Sequence, residues 1–535
     1  MNILLVVPRY SLENKPNYNY VLPIGLGYIY SVLVKAGHNV DGLNLNHIAG
    51  SAEEIITKKL NSKKYDFVGT GNNALGYAIT EIIIRTAKNH PSKPKTLLGG
   101  PIINSEPELI FNDLNPTFGV IGEAEETIVE LVDAVEKVKD LKKVKGIMYK
   151  DSTGKLIQTL PREPPKDLDS IPFPNYEAFG IEKQLDNIST NYAYYANFSD
   201  NTRAYPLLAS RSCPFQCTFC YHNSQYRKRS LKNIMQELSL AIKKYKINMI
   251  CIHDECFALD KKRLADFCRE IIKLKTEIPW NLRWFCQLRV ETVDAEILRK
   301  MKEAGCAIIG YGLESYSLPV LQSMKKNTTP EQIKKAVKLA FDNKLSLQSF
   351  FIFGDTAETV ETAEETLNYW KDYCKNGQVG LLFIQPYPGS EIYKRALKKG
   401  VLKDKLNFIK NLTIWNWFNL TDNMTDKEVS QLKRKVLDMV SKYTKFIRPR
   451  KLNKMKNGNY EIEIKCPFCK KVVNYKNCQI GNRFSYGFGL ICRNCSLRSF
   501  VVSPLQKFAY ANYSWIRTFR DLELKILSTF KKKRL

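Results

Sequence analysis

Two successive series of short apolar runs, each alternating with helical patterns, dominate this 535-residue chain. Such alternation restricts the fold to parallel sheets whose strands are joined by crossover helices. In the first series, residues 3–7 read as a strand, 22–36 as a helix entered through Pro23-Ile24-Gly25-Leu26-Gly27, and 38–44 as a second strand. Residues 66–70, 95–101 and 118–123 supply further strands with glycine at or near their ends. Residues 1–145 are therefore expected to form a doubly wound parallel sheet with its ligand crevice at those ends. Pro161, Pro164, Pro165, Pro172 and Pro174 then forbid a long helix and mark 146–200 as a connector.

The second series supplies strands at 207–210, 249–253, 284–288, 307–313, 347–353 and 379–385. Six strand–helix repeats predict a partial barrel over 201–425, smaller than the eight-fold form. A helix over Asp426–Tyr443 opens a linker at 426–459, followed by a cysteine-paired module at 460–500 and a basic tail at 501–535. With 44% hydrophobic residues the domains can bury cores, and no apolar run approaches the roughly 20 residues of a membrane span. The N-terminal apolar run is short and lacks a basic lead, so it reads as a buried strand and not as a secretion signal. A cytoplasmic chain is expected.

Charge is unevenly placed. Of the net +28, residues 431–535 carry +20, with 25 Lys or Arg against 5 Asp or Glu. That excess suits a nucleic acid or an anionic membrane surface, which would make the protein peripheral to the inner membrane; it equally suits a solubilising face. Fourteen cysteines without an export signal imply a reducing compartment and metal binding over disulfides.

The strongest motif is Arg211-Ser212-Cys213-Pro214-Phe215-Gln216-Cys217-Thr218-Phe219-Cys220, just after the first barrel strand. Three thiolates on one loop can ligate three irons of a [4Fe–4S] cube, leaving the fourth open to a cofactor. Cys213, Cys217 and Cys220, with Phe219 before the last, resemble the motif of the radical S-adenosylmethionine (SAM) superfamily. The resemblance implies a [4Fe–4S] cluster and SAM as cofactors. It continues through Met249-Ile250-Cys251-Ile252-His253-Asp254-Glu255, where the family's acidic strand end meets the SAM amino group, a role carried to Asp254 and Glu255. Arg289 falls where the family's arginine meets the SAM carboxylate, and Gly312, Glu314 and Ser315 fall in the segment lining the ribose and methionine. The turn at Gly354-Asp355-Thr356 lacks the proline usual in relatives.

A doubly wound domain ahead of such a barrel resembles the cobalamin-binding subfamily. Gly25, Gly69, Thr70, Gly99, Gly100, Gly122 and Glu123 are the implied cobalamin contacts, since strand-end glycines let the backbone approach a large flat ligand. The loop after the first strand, 9–22, holds no histidine to ligate cobalt. His47-Ile48-Ala49-Gly50 keeps a His-x-x-Gly fragment but follows the second strand, and His47 reads as a surface residue. The resemblance implies methylation of an unactivated carbon through a 5′-deoxyadenosyl radical and methylcobalamin. Cyclisation, oxidation, ring rearrangement or RNA modification are its alternatives, and an adaptor with structural iron–sulfur and zinc sites is the non-enzymatic one. A small-molecule substrate and an electron donor such as flavodoxin or ferredoxin are the implied partners.

Cys466, Cys469, Cys492 and Cys495 form two Cys-x2-Cys knuckles separated by 22 residues. Four thiolates in two tight turns match tetrahedral zinc in a ribbon; a second iron–sulfur cluster is the alternative. Cys478, between the knuckles, is expected to pack in the core. Cys251, Cys256, Cys268, Cys286, Cys306 and Cys374 are expected to be mostly core, Cys256 being the one to watch because it follows the acidic strand end that faces the cluster loop. Trp515, Phe519, Leu522 and Ile526 share one face of a possible interfacial helix at 515–533, whose basic and aromatic residues also suit nucleic acid.

Overall fold

The computed structural model describes residues 1–11, 13–192, 198–221, 224–374, 378–414, 417–481 and 483–512. The helix expected at 515–533 lies outside the described residues. Among the described residues, no helix is long and apolar enough to cross a membrane.

Strand Asn2–Val7 (β1) has every residue from Ile3 onward at most 2% exposed. Burial on both faces is what the interior of a parallel sheet demands, and the unbroken Ile-Leu-Leu-Val-Val run supplies it. β1 pairs in parallel with Asn39–Asn44 (β2) on one side and Phe67–Gly71 (β3) on the other. Lys95–Gly99 (β4) and Phe118–Val120 (β5) continue the sheet in parallel. Helices Ile24–Lys35 and Glu125–Glu136 pack against one face through Leu33, Ile128 and Leu131, and Ala52–Ser62 and Tyr77–Asn89 cover the other through Ile55, Ile56 and Ile83. Ser51 and Glu54 close a capping box that starts one of these helices.

Two further strands, Ile147–Lys150 (β6) and Leu156–Gln158 (β7), add antiparallel to β5, giving the order β2-β1-β3-β4-β5-β6-β7. Residues 147–158 thus belong to the sheet and not to the connector in which the sequence reading placed them. Gly146, at φ 77°, turns the chain back, and Gly154, at φ 83°, closes the hairpin; the prolines that enforce irregular structure begin only at Pro161.

The second sheet is an open barrel of six parallel strands in the order Ala204–Leu207, Met249–Ile252, Arg283–Leu288, Cys306–Glu314, Ser349–Phe353 and Val379–Phe383. The short Ser346–Leu347 also pairs with the fourth. Its first strand ends three residues earlier than expected, because the Asp254 carboxylate accepts the Ala209 backbone N–H at 2.7 Å and the Ser210 hydroxyl at 2.6 Å. That pull draws the chain out of the sheet, and Ser210–Arg211 pairs instead with Arg227–Lys228.

The helix Asp426–Tyr443 forms as expected, opened by a capping box of Thr425 and Glu428. Strands after it, from Phe446 onward, join the C-terminal module and not a linker. Lys451–Lys454, Tyr460–Lys465 and Val472–Cys478 make one antiparallel sheet, and Arg498–Val502 pairs in parallel with Phe446–Ile447 and antiparallel with Gly487–Ile491 to make a second, mixed one. The module is fastened to the rest of the chain by Thr190 N–H to Asn477 C=O, Arg493 to Asp200, and Arg498 N–H to the Gln378 amide oxygen at 2.9 Å.

Candidate active site

The mouth of the barrel, at the carboxyl ends of its strands, encloses a cavity of about 560 Å³. Cys213, Cys217 and Cys220 all line it, together with Phe219, Glu255, Arg289, Gly312 and Glu314. Eight residues singled out along four stretches of sequence therefore share one wall. The cysteine loop is held from several sides. Ser212 adopts a left-handed conformation at φ 63° and donates its hydroxyl to Ser224 C=O, while Thr218 N–H donates to Met324 C=O and Thr218 C=O accepts from Ile392 N–H. Burial pushes the Cys217 thiol above its ordinary value, so metal binding here must expel a proton.

Asp254 and Ser315 do not reach the cavity wall. Asp254 is 1% exposed and spends both carboxylate oxygens on Ala209 and Ser210, and Ser315 sits behind the wall against Thr366. Both acids follow the strand that ends at Ile252; Asp254 turns back onto Ala209 and Ser210, which leaves Glu255 as the acid that faces the cavity.

Arg289 donates to the Glu291 carboxylate, to Lys326 C=O and to the Thr328 hydroxyl, and its guanidinium lies 3.8 Å from the centre of the Phe215 ring in the cysteine loop. Sequence reasoning missed Lys326, which lines the cavity and pairs with Glu314 at 2.9 Å. Burial would lower its pKa, but Glu314 offsets that and raises it, keeping the ammonium charged. Nothing in its local sequence marks it, since it follows a short helix far from any motif. Cys256 is buried, lines the same cavity and lies beside the Cys213 thiol, which sets it apart from the other core cysteines. Cys251, Cys268, Cys286, Cys306 and Cys374 are core residues.

In the N-terminal domain the strand-end glycines divide. Gly99 and Gly122 have open space where a side chain would project, and Gly100 and Gly122 each adopt φ 85°, a left-handed conformation that suits glycine. Gly99 and Gly122 form a side-chain-free cradle at the ends of β4 and β5, which fits a broad ligand approaching the backbone, while Gly100 lets the chain pass close against the Asn72 backbone. Gly25 is equally open, in the first turn of its helix. Gly69 instead makes room for Leu5 within the sheet, and Thr70 is buried and donates to Val6 C=O. Glu123 is engaged by Arg211 and Arg227, which flank the cysteine loop.

His47 is not a surface residue. It is 7% exposed, its Nε2 lies 2.7 Å from the Tyr20 hydroxyl, and burial holds its imidazole down at about 4. The β2–helix junction folds under the Tyr20 loop, which no local pattern announced.

In the C-terminal module, Cys466, Cys469, Cys492 and Cys495 bring their sulfurs within 4.8 Å of one another. Cys466 to Cys495 and Cys469 to Cys492 are both 3.7 Å. A tetrahedron of sulfurs around one ion at about 2.3 Å has edges of about 3.8 Å. The quartet therefore fits a single tetrahedral ion, not a cube whose thiolates bind separate irons. Cys478 is buried in the core, as expected.

A doubly wound domain set against an open six-strand barrel, with three cysteines at the barrel mouth, defines a radical SAM enzyme that carries a cobalamin-binding domain. Residues 207–369 match the Radical SAM superfamily and residues 17–132 the B12 binding domain. The chain is 31% identical over 449 residues to the uncharacterized methyltransferase PH0819 of Pyrococcus horikoshii, covering 81% of this chain and 91% of that one. It belongs to this family of B12-binding radical SAM enzymes, whose cofactors are a [4Fe–4S] cluster, SAM and cobalamin. It is also 26% identical over 422 residues to the anaerobic magnesium-protoporphyrin IX monomethyl ester cyclase of Rubrivivax gelatinosus, covering 76% of this chain and 73% of that one. Its fold resembles that of the radical SAM methyltransferase TsrM from Kitasatospora setae, with a TM-score of 0.59 and 17% identity over 75% of each chain.

Proposed function

We propose that this enzyme transfers a methyl group to a carbon atom of a small molecule. The observation that carries the reading is the shared cavity. Three cysteines and the inward residues of consecutive strands converge there, and the loop carrying the cysteines is ion-paired to the N-terminal domain beside its glycine cradle. When bound, the cluster and SAM supply a carbon-centred radical and cobalamin carries the methyl group; the protein supplies position.

In this reading Cys213, Cys217 and Cys220 hold the cluster, with Phe219 packed beside it. Glu255 takes the SAM amino group, Arg289 the carboxylate, and Gly312 and Glu314 border the remainder, with Lys326 fixing the Glu314 carboxylate. Asp254 acts indirectly, holding the chain at Ala209 and Ser210 and so setting where the cysteine loop departs. Gly99 and Gly122 receive cobalamin, and no histidine from the loop after β1 meets the cobalt. The ion pairs of Arg211 and Arg227 with Glu123 and Glu125 hold the N-terminal domain beside the cysteine loop, where it would limit the access of water and oxygen to a bound radical. Flavodoxin or ferredoxin suits the reductant's role, and the C-terminal quartet holds a structural zinc ion whose binding energy stabilises a small module.

Anaerobic holoenzyme incubated with SAM, reductant and candidate substrates tests the reading. Formation of 5′-deoxyadenosine and S-adenosylhomocysteine with a product one CH2 heavier supports methyl transfer. Radical formation with no CH2 gain would favour cyclisation or oxidation, in line with the cyclase relative, and absence of both nucleosides would overturn the proposal.

A further inference from the structure

At the opposite end of the barrel from the cysteines, a second cavity of about 170 Å³ opens beside the first residue of the third strand, Arg283. Six residues of strand, roughly 20 Å, separate it from Arg289 at the mouth. Arg283, Trp280, Phe198, Met249 and Ser199 are among the residues that line it, and none of its lining residues is shared with the catalytic cavity.

Arg283 is half-buried, yet its guanidinium donates no hydrogen bond and meets no carboxylate among the described residues. Its Nε is sealed from solvent and out of a ligand's reach, but the two terminal amino groups bond nothing and stay accessible at the cavity wall. The Phe198 ring centre lies 5.9 Å from the guanidinium, the far limit of a cation–π contact. Acids of the neighbouring segments are engaged elsewhere. Asp200 accepts from Arg493 and from the Lys476 N–H, Glu277 pairs with Lys243, and Glu303 pairs with Arg299. Residues 193–197, just ahead of Phe198, contain no acid.

The surrounding field is positive. Burial and then the charge of Arg283 lower the pKa values of Lys275 and Lys302, whose ammonium groups bond backbone carbonyls and the Ser496 hydroxyl but no carboxylate. A half-buried cation without a counter-charge is costly, and an anion in the cavity removes that cost.

We infer that this cavity is an anion site, and that it takes a phosphate dianion, free or at the end of a small monoester, held by the terminal amino groups of Arg283 and the Ser199 hydroxyl. The Ser199 oxygen accepts from the Asn201 N–H, which leaves its hydrogen to donate. The planar fork of arginine matches phosphate and carboxylate alike, and the field of Lys275 and Lys302 favours the more highly charged of the two. Trp280, Phe198 and Met249 give the rest of the wall an apolar surface that suits the organic part of a monoester.

Phenyl phosphate, inorganic phosphate and benzoate, titrated by calorimetry into anaerobic, SAM-loaded holoenzyme, test this. Phosphate in either form is expected to bind about tenfold or more tightly than benzoate and to raise the melting temperature. Tighter binding of phenyl phosphate than of inorganic phosphate assigns the site to a monoester, and equal binding assigns it to free phosphate. Arg283→Gln, compared at matched circular dichroism, is expected to weaken phosphate binding about tenfold or more and to abolish the rise in melting temperature. Arg283→Lys keeps the charge without the fork and should fall between that variant and the parent. Lys454→Gln, on an exposed strand of the C-terminal module, controls for general attraction to basic surface and should change nothing. Benzoate binding as tightly as phosphate, phosphate binding unaltered by Arg283→Gln or lowered equally by Lys454→Gln, or no measurable phosphate binding overturns the inference.

Discussion

Arg211, two residues ahead of Cys213, places its guanidinium 2.7 Å from the carboxylate of Glu123, 88 residues earlier in the chain and one residue past the open glycine Gly122. A second arm reaches Glu125 at 2.6 Å, and Arg227, on the far flank of the cysteine loop, also engages Glu123. The loop that carries the cysteines is thereby tied to the loop at the cofactor cradle. These side chains are 10–15% exposed, so the pairs are weakly screened and removing one partner strands a buried charge. Arg211→Ala is expected to cost roughly 3 kcal/mol, the lower end of the usual range, because Arg227 still meets Glu123 although Glu125 loses this partner. Denaturant unfolding measures the loss, and faster proteolysis within residues 160–200 would locate it at the contact between the domains. A variant as stable and as protease-resistant as the parent would show that the tie contributes nothing.

The two cysteine sets are expected to separate cleanly. Cys217→Ala should abolish iron and the cluster's share of the visible absorption, leaving that of any bound cobalamin and about one zinc per chain; Cys492→Ala should lose zinc and retain iron. Elemental analysis of anaerobically purified variants decides this. Loss of both metals in either variant would contradict two independent centres.

The Glu314–Lys326 pair is 12% and 8% exposed at its side chains. Lys326→Met should destabilise by about 3–5 kcal/mol, because it leaves the Glu314 carboxylate buried alone. The double variant Glu314→Gln with Lys326→Met should recover most of that loss. A double-mutant cycle by thermal or denaturant unfolding yields the coupling, and additivity would show that the pair does not interact.

His47 gives stability a pH dependence. Its folded value is lowered to about 4 from an unfolded value near 6.5, so the unfolded chain binds the extra proton first. The contribution is present above about pH 6.5 and is lost as pH falls toward 4. His47→Gln should therefore flatten the stability profile between those limits, read from melting temperatures across the range. An unchanged slope would mean that His47 is not the group responsible.

Local sequence carries the alternation of both sheets legibly, because a strand buried on two faces must be an unbroken apolar run such as Ile3–Val7, and a crossover helix must show a single apolar stripe. The knuckles at Cys466 and Cys492 and the loop at Cys213 are legible for a related reason, since metal chemistry fixes spacing within a few residues. The β6–β7 hairpin escaped, hidden under the expectation of a proline connector. So did the early end of the first barrel strand, which depends on Asp254 some 45 residues away.

The sequence by itself therefore determined the architecture, the three-cysteine loop and the paired knuckles, all of which rest on short-range periodicity or ligand spacing. Only the tertiary structure decided that Glu255 and not Asp254 faces the cavity, that Lys326 answers Glu314, that His47 is buried beneath Tyr20, and that Glu123 binds arginines of the barrel. Each of those depends on which distant groups share a desolvated space, where pairing and burial set the energy and distance along the chain sets nothing.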